Sequence, residues 1–400
     1  MKRTAAQQDV DQRARFWLQK IQALPEPREP FNLLNVCGGH ERSITLGGLR
    51  SVLPKWINLI PGPGCPVCVC PESDIALAIR LAAYEDTIVL AFGDMLRVPI
   101  SLSAESPALP KGLRSLEQAK ACGADIRPIA SPMEALAIAQ QNPQRCVVFF
   151  AAGFETTMAP VAALAHQHFC SQLPSNLQFL ISGRRTWPAV AQLLADNRSA
   201  HIHGLVAPGH VATIMGSNEW QFVIDDHSLA TAVAGFESDS LLHAFYSILS
   251  DALEPQQPAN LQLRNCYPQA VSPQGNKRAQ AILQQCFDIG AASWRGIGNI
   301  EQSGYHLNIS LQAHDARFRF AQHNQLITQM VDKNVMPKSC MCADVVMARR
   351  LPNQCALYGK SCTPRQPVGP CMVSDEGACR IWLNGGIQAS DRRLSVVNSP

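Results

Sequence analysis

The chain has 400 residues, 46% apolar and 16% charged, a composition that excludes a disordered, collagenous or coiled-coil protein. At ~150 residues per domain, that length allows two or three domains. A net charge of +3, from 34 basic and 31 acidic residues, gives no reason to expect a nucleic acid or a membrane surface as partner.

The N-terminal stretch reads as a helix over 5–25. It has no apolar core of signal-peptide length, and no run of about 18 apolar residues occurs anywhere. The chain is therefore expected in the cytoplasm, where thiols stay reduced. Its 15 cysteines are then expected to be ligands, nucleophiles or redox couples rather than bridges. Cys37, Cys65, Cys68 and Cys70 lie early, and Cys340, Cys342, Cys355, Cys362, Cys371 and Cys379 lie near the end.

From 31 to about 237, short apolar runs end in Gly- or Pro-rich turns, usually followed by a helical pattern. The runs are FNLLNV before Cys37, INLI before Pro61, TIVLAF before Gly93, IRPIA before Ser131, VVFFAA before Gly153, LQFLIS before Gly183, HGLVA before Pro208 and ATAVAG before Phe236. Continuous apolar runs alternating with helices predict parallel strands buried on both faces. Ser131, Pro132 and Glu134 form a capping box ahead of one helix, and Thr186-Trp187-Pro188 opens another. The expected class is α/β, with two doubly wound parallel-sheet domains at 30–127 and 128–250. A smaller Cys-rich domain follows over 251–400, with the N-terminal helix packing nearby. A TIM barrel is the alternative for eight strands, opposed by uneven intervals and the Pro/Ser-rich insert Pro99–Pro110.

Open α/β sheets bind ligands at the carboxyl ends of their strands. There the first run delivers Cys37-Gly38-Gly39-His40. Free amide groups and an imidazole beside Cys37 would lower its pKa, making it a soft metal ligand or a nucleophile. The plainer reading is a buried, inert cysteine beside a turn. The second run delivers GPGCPVCVC, whose Cys65 and Cys68 have the C-x-x-C spacing of a dithiol couple. With Cys70 a metal site or structural thiols stay open. Asp94, Glu155 and His210 follow later strands and are candidates to move or orient protons. The GFETT turn around Glu155 is also a candidate phosphate site. Singly each is as well read as a cap or turn residue. His166, His168, His201 and His203 read as surface or packing residues.

In the tail, Cys342, Cys355, Cys362 and Cys379 are separated by Pro- and Gly-rich loops. All-cysteine ligation suits zinc or an iron–sulfur cluster, and the irregular spacing argues against a zinc ribbon.

With these motifs in place, the sequence resembles the HypD family of hydrogenase maturation factors over residues 31–383. The resemblance rests on CGGH (37–40), GPGCPVC (62–68), FGDMLRVP (92–99), GFETTM (153–158), APGH (207–210), AGFE (234–237), WRG (294–296) and the Cys-rich tail with SDEGAC (374–379). It implies two α/β domains plus a 4Fe–4S domain, and a scaffold on which the Fe(CN)2CO group of nickel–iron hydrogenases is built. Cys37 would hold iron together with a cysteine of a small HypC-type chaperone. Cys65 and Cys68 would be the redox dithiol, and Cys342, Cys355, Cys362 and Cys379 the cluster ligands. Cyanide would come from HypE, supplied by HypF. Such a protein is a scaffold with redox and ligand-transfer activity rather than a conventional turnover enzyme. Glu41 after His40, the extra thiols Cys70, Cys340 and Cys371, an insert at 102–109 and the tail after Gly385 depart from the family pattern. An iron–sulfur-dependent disulfide reductase using Cys65 and Cys68 is the alternative, and a zinc-stabilised binding protein the third.

Overall fold

The computed structural model describes residues 5–101, 109–110, 112–253, 261–330 and 336–390. Most of the insert at 102–109 and the end of the tail lie outside the described residues. All eight apolar runs form strands: β1 (Phe31–Asn35), β2 (Ile57–Pro61), β3 (Thr87–Phe92), β4 (Ile126–Ile129), β5 (Cys146–Gly153), β6 (Leu177–Arg184), β7 (Gly204–Pro208) and β8 (Ala230–Ala234). Three more follow: β9 (Arg264–Asn265), β10 (Phe287–Trp294) and β11 (Gly298–Leu307).

The strands make two open sheets, which excludes the barrel. One has the order β2-β1-β7-β8-β9 and is parallel throughout. The other has the order β10-β11-β6-β5-β3-β4, with β11 antiparallel to both its neighbours and the rest parallel. Sheet membership does not follow the expected boundary at 127. The chain starts in the first sheet, crosses for β3 to β6, returns for β7 to β9 and leaves again for β10 and β11. A buried apolar run announces a strand but not its neighbour, because the edge a strand pairs with is set by tertiary packing.

Alternation along each strand divides the core. Leu34, Ile60, Leu205 and Val233 of the first sheet share a core with Val148, Phe150 and Leu180 of the second. Their sequence neighbours Leu33, Leu59, Val206 and Ala232 point the other way, beneath helix Ser238–Leu253. Phe149 and Phe179 pack under the outer helices of the second sheet, including Pro132–Gln141, which begins with the expected capping box. The Cys-rich tail adds no separate core: Cys342, Cys371, Cys379 and Trp382 belong to the core shared by both sheets. The N-terminal helix, Ala5–Gln22, was expected beside the tail. It lies along Ser238–Leu253, where Trp17 stacks on His243 at 4.1 Å and Arg13 pairs with Asp239 at 2.7 Å. Among the described residues no helix is long and apolar enough to cross a membrane.

Candidate metal and redox site

Because β1 and β2 are neighbours in register, with Asn35 beside Pro61, their following turns meet. Gly62 N–H donates to Asn35 O at 2.8 Å and Gly38 N–H to Gly64 O at 3.2 Å. A Cβ on Gly64 would stand 2.6 Å from Cys37 Cα, so only glycine lets the two turns approach this closely. One residue further on, Cys65 begins the short helix Pro66–Val69 and is disulfide-bonded to Cys68. Cys37 and the C-x-x-C pair are thus brought together.

The tail closes over Cys37. A Cβ on Gly38 would stand 2.5 Å from Glu376 Cβ, in the SDEGAC loop. That loop also gathers Asp94, whose Oδ2 accepts from Asp375 N–H at 3.2 Å. Burial, reinforced by Asp94 and Asp375, raises the Glu376 pKa to about 7. The expected low pKa of Cys37 is not found. Burial pushes its thiol up to about 12, outweighing the His40 and Gly39 amide groups that do favour the thiolate, and Glu376 adds to the rise. The His40 ring is turned elsewhere: Nε2 lies 2.9 Å from Ala234 O and, since a carbonyl only accepts, carries the proton. Nδ1 is left buried with a lone pair and no partner. Burial lowers the His40 pKa to about 3, so the ring is neutral. Phe236 lies between His40, at 4.9 Å, and His210, stacked at 3.8 Å. Burial lowers the His210 pKa too.

Glu155 is not part of this group. It is fully buried and accepts from Thr186 N–H at 2.6 Å and Thr186 Oγ1 at 2.7 Å, which ties down the start of helix Thr186–Ala195. Burial raises its pKa. Glu41 does not add charge at Cys37 unopposed. Its carboxylate is paired with Arg50 at 2.7 Å and accepts from Trp382 Nε1 at 2.5 Å.

In the tail, the sulfurs of Cys342, Cys371 and Cys379 lie within 4.8 Å of one another, all buried. Cys340 Sγ is 3.3 Å from Cys342 Sγ. Of the four thiols the resemblance assigns, Cys342 and Cys379 stand in this trio. Cys355 instead donates to Ser339 O at 3.9 Å, and Cys362 accepts from Val368 N–H at 3.3 Å. Helix Pro66–Val69 contacts both Pro370–Met372 and Cys342–Val346, so the disulfide and the thiol group are neighbours. Between them lies Arg295, which no reading of the sequence had singled out. Its amide group donates to Val69 O at 2.9 Å, and its buried guanidinium pairs with Glu72 and donates to Pro99 O at 2.8 Å. Nε and Nη1 have no acceptor. Converging soft thiols beside unpaired N–H donors fit a sulfur-rich metal group, whose sulfurs accept such bonds. Cys70 stands apart in the core: its Sγ is 3.3 Å from Ser182 Oγ, which donates to Asp74 at 2.6 Å. Of the residues the sequence reading missed, Glu376 lies in SDEGAC, Phe236 in AGFE and Arg295 in WRG. Their motifs were visible, but their individual roles were not.

Comparison with known proteins accords with this arrangement. The family model named HypD, described as "Hydrogenase formation hypA family", matches residues 12–386. Hydrogenase maturation factor HypD2 of Bradyrhizobium diazoefficiens is 37% identical over 380 residues, covering 93% of this chain and 94% of its own. Hydrogenase maturation factor HypD of Escherichia coli strain K12 is 36% identical over 363 residues, covering 90% and 91%. That of Rhodobacter capsulatus is 35% identical over 365 residues, covering 91% and 92%. On a match that spans nearly its whole length, the chain belongs to the HypD family.

Proposed function

We propose that this protein is a hydrogenase maturation scaffold on which the Fe(CN)2CO group of nickel–iron hydrogenases is assembled. Cys37 holds the iron substrate, sharing it with a cysteine of a HypC-type chaperone, and HypE, supplied by HypF, delivers cyanide. The observation that supports this reading is the approach of Gly64 to Cys37, which brings Cys37 beside the Cys65–Cys68 disulfide.

The residues divide the work by their environments. The buried Cys37 thiol keeps its proton until a cation displaces it, and Glu376, with a pKa of about 7, is the adjacent group able to take that proton at neutral pH. His40 stays neutral and presents the Nδ1 lone pair. Reduction of the Cys65–Cys68 disulfide consumes two electrons and two protons and yields two thiols. A 4Fe–4S cluster held by Cys342, Cys355, Cys362 and Cys379 would relay those electrons one at a time from an external reductant. The Glu376 loop and the Phe236 ring cover the site and keep water and competing ligands from the cation.

The test is infrared spectroscopy of the complex with its chaperone, isolated without oxygen. Bands of bound cyanide and carbon monoxide are expected in the wild type and not in Cys37→Ala; their absence from the wild type refutes the reading. The disulfide itself favours a second reading, a disulfide reductase. In that case Cys37→Ala keeps full dithiol exchange on an external thiol substrate.

A further inference from the structure

Strands β6, β10 and β11 and the helices Glu72–Tyr84 and Ala321–Met330 border a cavity of about 320 Å3. Apart from the His306 imidazole, its ionisable lining is two guanidiniums, Arg184 and Arg317, against one carboxylate, Asp74. That carboxylate is committed: Oδ1 pairs with Arg317 Nη2 at 2.9 Å, and Oδ2 accepts from Ser182 Oγ at 2.6 Å. Arg184, only 6% exposed, reaches Asp74 no closer than 3.7 Å. Its N–H groups go to neutral carbonyls, Nη1 to Gly183 O at 2.9 Å, Nε and Nη2 to Ser293 O at 3.1 and 2.8 Å. Burial lowers its pKa accordingly.

Carbonyls satisfy the hydrogen bonds of a buried guanidinium but leave its charge without a counter-ion, which is costly. The nearby Cys70 thiol does not supply one, since burial pushes its pKa up to about 12. Asp315 caps the helix Ala316–Arg319 by accepting from Arg317 N–H at 2.8 Å and does not line the cavity. Unused donors also face the space. Ser73 is 7% exposed and lines the cavity, and its hydroxyl has no partner among the described residues. Nor, among those residues, do Nε and Nη1 of Arg317 donate a hydrogen bond. The amide groups of Glu72 and Ser73 open their helix and find no acceptor within it. Ile181, Ala292 and Ile327 supply an apolar wall.

We propose that this cavity binds a small organic monocarboxylate, its carboxylate on Arg184, Arg317 and Ser73 and its carbon chain on Ile181, Ala292 and Ile327. One surplus positive charge in the lining matches one negative charge on the ligand, whereas a phosphate monoester would bring nearly two. The volume lies at the small end of the range for ligand sites, about 300–1,000 Å3. Such a site is independent of the maturation reading and of the cysteines that reading uses.

The test is calorimetric titration of the full chain, isolated without oxygen, with acetate, butyrate, the neutral isostere butyramide and inorganic phosphate. One butyrate should bind per chain and raise the thermal midpoint with its concentration. It should bind about 15-fold more tightly than acetate, because two more CH2 groups leave water. Butyramide should not bind. Asn324 lines the cavity, and its side chain has no partner among the described residues. Asn324→Asp therefore cancels the surplus charge while keeping both guanidiniums, and should weaken butyrate at least about tenfold, as should Arg317→Met. Failure of butyrate to bind, equal binding of butyramide, or phosphate bound as tightly as butyrate overturns the proposal. So does undiminished butyrate binding by Asn324→Asp, which decides alone should Arg317→Met misfold.

Discussion

Replacing Glu41 should uncouple the iron-binding turn from the cysteine-rich tail. Glu41 is 2% exposed, one residue beyond His40, on helix Gly38–Leu46. Its carboxylate accepts from Arg50 Nη2 at 2.7 and 3.0 Å, from Trp382 Nε1 at 2.5 Å and from Asn35 Nδ2 at 3.3 Å. Three parts of the chain thus meet on one carboxylate: strand β1, the segment around Arg50 and the tail helix Ala378–Asn384. Removing one partner of a buried ion pair costs about 3–5 kcal/mol, because the other is left charged and desolvated. Arg50 would keep only the neutral acceptors Thr45 Oγ1 at 3.2 Å and Leu59 O at 3.4 Å, and its buried Nε has none. Glu41→Ala should therefore cost about 3–5 kcal/mol, a large part of the ~5–15 kcal/mol that stabilises a typical fold. Glu41→Gln keeps an acceptor for Trp382 and should cost less, about 1–3 kcal/mol. Urea unfolding of Glu41→Ala, Arg50→Met and the double variant measures the coupling. Alkylation of Cys379 should accelerate in Glu41→Ala before global unfolding. Additive effects in the double variant, or a Glu41→Ala cost below about 0.5 kcal/mol, would refute the reasoning.

Three further outcomes are expected. Glu219 Oε1 accepts no hydrogen bond and reaches Arg185 only at 3.6 Å, and burial raises its pKa from 4.5 to about 7. The folded chain then holds a proton the unfolded chain gives up, so stability falls as pH rises from about 4.5 through 7, by at most about 3 kcal/mol. Glu219→Gln should raise the thermal midpoint at pH 8 more than at pH 5, and equal gains would contradict this. Arg295→Met leaves the Glu72 carboxylate buried with Ser101 N–H still donating to it at 2.8 Å, and should cost about 3–5 kcal/mol in urea, part of it recovered in Glu72→Gln/Arg295→Met. Gly64→Ala drives a Cβ to 2.6 Å from backbone at Cys37, whereas a Cβ on Gly93 meets nothing within 4 Å. Gly64→Ala should cost about 1–3 kcal/mol and abolish iron retention while Cys65 and Cys68 still oxidise, and Gly93→Ala should do neither.

The parts of the fold legible in the sequence were those set by local pattern. FNLLNV and VVFFAA announce buried strands because each has one side chain for each core: Leu33 and Leu34 face opposite ways, as do Phe149 and Phe150. Their pairing was not legible, since β7 lies beside β1 across a long stretch of intervening chain. The site divides in the same way. The amide groups around Cys37 were foreseeable from two glycines, and they act as expected. The burial that overrides them comes partly from Glu376, far away in sequence, and no local motif reports desolvation. Glu155 was rightly placed at a strand end, but its carboxylate is committed to Thr186, which lies beyond the next strand.

Sheet order explains which motifs meet. In the first sheet the order β2-β1-β7-β8 is parallel throughout, so four consecutive carboxyl ends open on one edge. Along that edge they deliver Cys65, Cys37, His210 and Phe236 in turn. The disulfide is therefore Cys37's neighbour on one side, and the two aromatic residues are its neighbours on the other. Glu155 follows β5 in the second sheet and so falls outside the group, whatever its motif suggests. Asp94 follows β3 in that same sheet and is the exception, reaching the group through the backbone of Asp375. The tail is what joins the two edges: Glu376 packs on Gly38 in the first, Asp375 bonds Asp94 from the second, and Cys371 and Cys379 flank that loop. A chain that kept β1 to β4 in one sheet and β5 to β8 in another would separate Cys37 from His210. Interleaving the sheets is thus the topological condition for this site.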